Sequence, residues 1–257
     1  MNYVDTHAHI DGAEFDADRD EVVARARAAG VSKVLVPAID LASVDSVLRT
    51  CDRYPGFAYP MAGLHPEEVR ADFRAVLATM RSRIDGRFVA IGEVGIDYYW
   101  SREFEKEQLE AFEEHVRWAV ELRKPLMIHC RKGQNEMVAV LRRYRGELPG
   151  GVFHCFTGNE REAEELLAFD NFALGIGGVL TFKKSHLPEV LPHIPLQRIV
   201  LETDSPYMAP VPMRGKRNES AFVSYVLARV ADCYGVSQET VAEATNATVE
   251  RIFGIKA

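Results

Sequence analysis

Eight short apolar runs, separated by amphipathic stretches at a steady spacing, restrict the fold of this chain more than any other feature. They cover residues 2–10, 32–39, 57–66, 88–97, 125–130, 151–156, 172–178 and 198–205. Each has strand length, and the stretches between them carry apolar residues at helical spacing. The clearest helix is SREFEKEQLEAFEEHVRWAVELRK (101–124), rich in charge pairs four residues apart. DADRDEVVARARAAG (16–30) ends on Gly30, a helix-stop residue. Strands alternating with helices imply a parallel sheet, and eight such units favour a closed (β/α)8 TIM barrel, one α/β domain over residues 1–257. A doubly wound open sheet is the alternative, but no glycine-rich phosphate loop follows any of the runs.

In such a barrel the chemistry sits at the C-terminal ends of the strands. The unusual residues fall there: His7 and His9 after the first run, His65 after the third, Glu93 in the fourth, His129 in the fifth, His154 in the sixth and Asp204 in the eighth. His7 and His9 are two apart, so on a strand they share one face. His129–Cys130 and His154–Cys155 are adjacent pairs. If the imidazoles face the barrel axis, both thiols face the helices and read as packing residues. The other histidines, His115, His186 and His193, lie in a helix and in a Pro-rich segment and read as structural.

Imidazoles and carboxylates suit zinc, manganese, iron or nickel better than magnesium. Six ligands are too many for one tetrahedral ion and suit two divalent metal ions. The expected division puts His7, His9 and Asp204 on one ion and His129 and His154 on the other, with Glu93 bridging. Water between two cations becomes a nucleophile near neutral pH, with Asp204 placed to take its proton. Glu202, of the same strand parity as Asp204, reads either as a supporting partner or as half of a salt bridge.

The chain has 38 acidic and 31 basic side chains, a net charge of −7, so it is not coated with a basic field. Any polyanion must be held by bound metal or a local patch. Cations of that kind follow the strands: Arg131 and Lys132, Lys183 and Lys184, and Arg214, Lys216 and Arg217 in RGKRNE (214–219). Tyr98, Tyr99 and Trp100 follow the fourth strand, where they either stack on bases or cap the barrel mouth. Cys51, Cys130, Cys155 and Cys233 form no close pairs, and the N-terminus does not read as a signal peptide. A cytoplasmic protein with reduced thiols and no membrane span is expected, and a monomer is compatible with the sequence.

The segments DTHAHID (5–11), GLHPEE (63–68), IGEVGIDYYW (91–100), IHCR (128–131), FHCFTG (153–158), LGIGG (174–178), LETDSPY (201–207) and RGKRNE (214–219) resemble the TatD family of metal-dependent hydrolases, in order and over nearly the whole chain. The resemblance implies a TIM barrel, a divalent metal pair and phosphodiester hydrolysis of nucleic acid, often from a 3′ end of single-stranded DNA. It gives metal roles to His7, His9, Glu93, His129, His154 and Asp204. Asp204, Glu93 and His65 are the expected catalytic residues, with His65, Arg131, Arg217 and Asn218 on the substrate. Magnesium joins zinc and manganese as a candidate ion, since nucleases of this sort are often assayed with it. The family commonly carries Pro after the Asn-Glu of the last motif; here Ser220 stands instead. Other amidohydrolase-like barrels often place a carboxylated lysine where this chain has Glu93. The alternative activity is hydrolysis of an amide, a lactone or an aminoacyl ester, because a fold does not fix a function.

Overall fold

The computed structural model describes residues 1–257. Eight strands run in parallel and pair in chain order. In sequence the elements are β1 (Tyr3–Asp5), α1 (Arg19–Ala28), β2 (Val31–Pro37), α2 (Leu41–Arg53), β3 (Ala58–Ala62), α3 (Phe73–Arg83), β4 (Ala90–Asp97) and α4 (Glu105–Leu122). They continue with β5 (Leu126–Arg131), α5 (Gln134–Arg143), β6 (Gly151–Phe153), α6 (Glu160–Leu167), β7 (Phe172–Ile176), α7 (Leu187–Val190), β8 (Ile199–Leu201), α8 (Val223–Tyr234) and α9 (Gln238–Phe253). Backbone bonds bring the last strand against the first: Thr6 N–H donates to Leu201 O at 3.0 Å, and Ala8 bridges Ser205 in parallel. The expected (β/α)8 barrel is the observed one.

Two apolar layers hold it. Inside, each strand contributes one residue to a single cluster: Val4, Leu35, Met61, Ala90, Met127, Val152, Ala173 and Val200. Val249 and Ile252 of α9, with Ile255 beyond it, complete that cluster and seal one end of the barrel. Outside, alternate strand residues such as Val34, Val36, Ile91, Ile128 and Phe153 pack against the helices in one continuous core. The interior is therefore filled, and the other end is left for chemistry. No helix is long and apolar enough to cross a membrane.

Local sequence explains where several helices begin. Asp40 accepts the Ser43 N–H at 2.7 Å and Ser43 Oγ accepts the Asp40 N–H at 2.9 Å, a reciprocal cap on α2. Asn159 and Glu162 do the same for α6. Ser237, three residues before Thr240, caps α9 by accepting the Thr240 N–H at 3.2 Å.

The strands end sooner than the apolar runs suggest. β1 stops at Asp5, β3 at Ala62, β6 at Phe153 and β8 at Leu201. His7, His9, His65, His154 and Asp204 thus stand just past regular strands, on extended or turning backbone. Asp204 and Cys155 have φ of 55° and 50°, and Lys132 just beyond β5 has 59°. Three non-glycine residues in left-handed backbone at one rim are an uncommon concentration, of the kind found at functional sites.

Candidate metal centre

Glu93 is the hub, and a strand irregularity aims it. Ala90 faces the barrel interior and Ile91 the helices. Strict alternation would then turn Glu93 outward. The β4–β5 register shifts between Ile91 and Val94, and Val94 again faces the helices, so Glu93 points inward. Gly95 lets the two strands come this close: it has φ 148°, and a Cβ there would sit 1.8 Å from the His129 carbonyl oxygen.

The two oxygens of Glu93 face two separate groups. Oε2 lies 3.1 Å from His7 Nε2 and 3.5 Å from His9 Nε2, and both nitrogens lie within 3.8 Å of Asp204 Oδ1. Oε1 lies 2.7 Å from His154 Nε2, 3.0 Å from His129 Nδ1 and 3.2 Å from His65 Nε2. The structure therefore brings together all six expected ligands, with His65 beside them.

The tautomers bear on whether these atoms suit a cation. Asp97 Oδ2, an acceptor, lies 2.9 Å from His129 Nε2, so that nitrogen carries the ring proton and Nδ1 presents a lone pair. Glu202 Oε1 lies 3.7 Å from His154 Nδ1, beyond hydrogen-bond reach, and that nitrogen is buried without a partner. His129 Nδ1 and His154 Nε2 face each other at 3.2 Å and both face Glu93 Oε1. His7 Nε2 and His9 Nε2 are likewise 3.3 Å apart. Converging donors of this sort need positive charge between them, and the donor set fits divalent cations.

Electrostatics without metal points the same way. Burial opposes charge on His154, yet Glu93 and Glu202 raise its pKa well above the ordinary value. Burial would raise Glu93, but the His154, His7 and His65 imidazoles hold it well below the usual carboxylate range. His7 goes the other way: burial and the neighbouring His154 lower it to about 3. Burial pushes Asp204 up to about 6 against the pull of His154.

His65 differs from the ligands around it. Its Nδ1 accepts the Glu67 N–H at 3.1 Å, so its proton sits on Nε2. Burial lowers its pKa and keeps the ring neutral. It presents an N–H donor to the centre.

Three of the other expectations meet different surroundings. Asn218 is fully buried and donates both amide hydrogens, to Thr203 O at 2.8 Å and to Tyr207 O at 2.6 Å. No donor is left for a substrate, so its role in direct contact is corrected to bracing the loop after β8. Arg217 pairs with Asp18 at 2.7 Å and covers the Phe15 ring, tying that loop to the segment before α1. Cys130 packs against the outer core as expected. Cys155 does not sit on a strand facing the helices. It lies in the left-handed turn at the mouth, where burial and the carboxylates of Asp204, Glu202 and Glu93 raise its thiol and keep it protonated. Of the histidines read as structural, His115 is buried and His193 pairs with Glu160 at 3.4 Å.

Two buried carboxylates were missed. Asp97 supports His129 and lies four residues after Glu93 on one strand, a spacing that shares a face and that signals it. Asp5 accepts from Thr203 N at 2.9 Å and Thr203 Oγ1 at 2.6 Å, joining the segment that carries His7 to the one that carries Asp204.

The chain matches the family model described as TatD related DNase over residues 4–254. It is 35% identical over 253 residues to the uncharacterized metal-dependent hydrolase YabD of Bacillus subtilis (strain 168), covering 98% of both chains. It is 35% identical over 258 residues to the 3′-5′ ssDNA/RNA exonuclease TatD of Klebsiella pneumoniae (strain 342), covering 98% of this chain and 97% of that one. The crystal structure of YJJV, a TatD homolog from Escherichia coli K12, superimposes with a TM-score of 0.90 at 28% identity and 98% coverage of each chain. With this barrel and these matches along nearly its whole length, the chain belongs to the TatD family of metal-dependent hydrolases.

Proposed function

We propose that this protein is a metal-dependent 3′-5′ exonuclease on single-stranded DNA or RNA, working with two divalent cations shared through Glu93. The observation that carries this reading is the division of Glu93 itself: one oxygen among His7, His9 and Asp204, the other among His129 and His154. Relatives over 98% of the chain that are named for this activity support the choice of nucleic acid.

Cations bound there would supply Lewis acidity to a phosphoryl oxygen and make water a better nucleophile. The chain's own residues do the rest. His7, His9, Glu93, His129, His154 and Asp204 hold the charge in place. Asp204, within 3.8 Å of His7 Nε2 and His9 Nε2, is the carboxylate placed to take a proton from the activated water. His65 donates from Nε2 toward a non-bridging phosphate oxygen. Arg131 carries a free guanidinium at the rim for the next phosphate, while Arg217 shapes the rim from its brace on Asp18.

The test is metal analysis of the purified protein, followed by cleavage of 5′-labelled single strands with zinc, manganese or magnesium. A ladder that shortens one nucleotide at a time from the 3′ end is expected. Intact oligonucleotides with every ion, alongside turnover of an amide, lactone or aminoacyl ester, would replace this reading.

A further inference from the structure

Trp100 is 69% exposed and Tyr99 43% exposed, next to each other at the mouth of a barrel whose other large aromatic rings are mostly buried. Their rings meet edge to face at 4.7 Å. Arg131 lies 3.4 Å over the Tyr99 ring and 5.5 Å from Trp100, and Lys132 Nζ lies 4.9 Å from Tyr99. Neither cation makes an ion pair, although most arginines of this acidic protein do. Exposed aromatic faces interleaved with unpaired cations match what an unpaired polynucleotide offers: base faces to stack and phosphates to neutralise.

The cluster is also fixed to the metal centre. Asp97 Oδ1 accepts the Tyr99 N–H at 2.8 Å while Oδ2 faces His129 Nε2. One carboxylate thus sets both the His129 imidazole and the start of the aromatic segment. Across the barrel, Tyr207 offers another exposed ring, 6.2 Å from His9.

We infer that Tyr99 and Trp100, with Arg131 and Lys132, form a stacking platform for the unpaired bases that precede the scissile nucleotide. Selection of single-stranded over duplex substrate then lies in this segment. The inference rests on the nuclease reading above and adds the residues that recognise the substrate's form. In a duplex the bases behind the terminal pair are stacked on both faces and paired, so they cannot spread onto Tyr99 and Trp100.

The molecule provides its own probe, because it has two tryptophans and the other, Trp118, is buried in α4. Titrating the metal-free protein with single-stranded octathymidylate should quench its emission. Trp100→Ala should abolish the quench and weaken binding about tenfold, as expected when one base loses its stacking partner. Trp100→Phe should restore most of the affinity. With metal, Trp100→Ala should raise KM for single strands by a similar factor and change kcat less than twofold. Equal octathymidylate affinity in wild type and Trp100→Ala, with unaltered emission, overturns the platform even if single strands are still cleaved. Quenching together with no cleavage of any nucleic acid upholds the platform and instead defeats the nuclease reading.

Discussion

Asp97 Oδ2 lies 2.9 Å from His129 Nε2, and the other oxygen of the same carboxylate accepts the Tyr99 N–H at 2.8 Å. Two donors therefore depend on two acceptor atoms of one side chain. Asp97→Asn keeps the shape but has one acceptor oxygen, so one of these bonds is lost. We predict that metal affinity falls roughly 10- to 100-fold while the fold persists. Calorimetric titration with zinc or manganese, beside circular dichroism, measures both. Unchanged affinity would remove Asp97 from support of His129.

Bound metal should stabilise the folded state, since the six donors come together only there. At an ion concentration of about 100 times Kd the gain is about 2.7 kcal/mol per site. Glu93→Gln removes the one charge that both groups share. The expected result is a melting temperature that rises with added metal in the wild type and stays flat in the variant. An equal rise in both would show that Glu93 does not hold the ions.

His115 lies in α4, and its Nε2 accepts the Leu64 N–H at 3.2 Å. Burial lowers its pKa to about 3, below the ~6.5 of an exposed histidine. The unfolded chain therefore takes up a proton between these values while the folded chain does not. This contribution to stability is complete above pH 6.5 and is lost as pH falls toward 3, at up to about 1.4 kcal/mol per pH unit. Urea denaturation in chelator between pH 6 and pH 4.5 should show a correspondingly shallower fall for His115→Gln than for wild type. Parallel slopes would count against a buried, neutral His115.

Gly95 and Gly56 offer a matched contrast. Both have positive φ, 148° and 73°, but a Cβ on Gly56 meets nothing within 4 Å. Gly56→Ala should cost about 1 kcal/mol, the strain of left-handed backbone alone. Gly95→Ala drives a methyl into the His129 backbone and should cost ~3 kcal/mol or more, or prevent folding. Thermal melts of the two variants decide it; similar losses would mean that the β4–β5 approach is not as close as described.

The alternation of strands and helices was legible because a parallel barrel buries its strands on both sides, which leaves short continuous apolar runs. The ligand types were legible because few structures other than metal sites gather histidines after successive strands. What could not be read is mostly backbone geometry. The runs overestimate the strands, since HAHI after Asp5 and HCF after Phe153 look apolar enough to continue them. The inward turn of Glu93 depends on an irregularity that alternation argues against. Asn218 stood as a substrate contact through the resemblance of RGKRNE to the family motif, and only tertiary structure shows its amide spent on Thr203 and Tyr207.

His129 on β5 and His154 just past β6 come from neighbouring units, whereas His7 and Asp204 are joined only where β8 comes round to meet β1. Chain segments distant in sequence meet at a greater entropic cost than near ones, and α9 must also arrive to plug the barrel floor. One half of the metal cradle is thus a local product of adjacent units, while the other depends on ring closure by the two extremities of the polypeptide. Integrity at that seam, far along the chain from Glu93, governs whether the carboxylate is flanked by ligand side chains on both sides or on one.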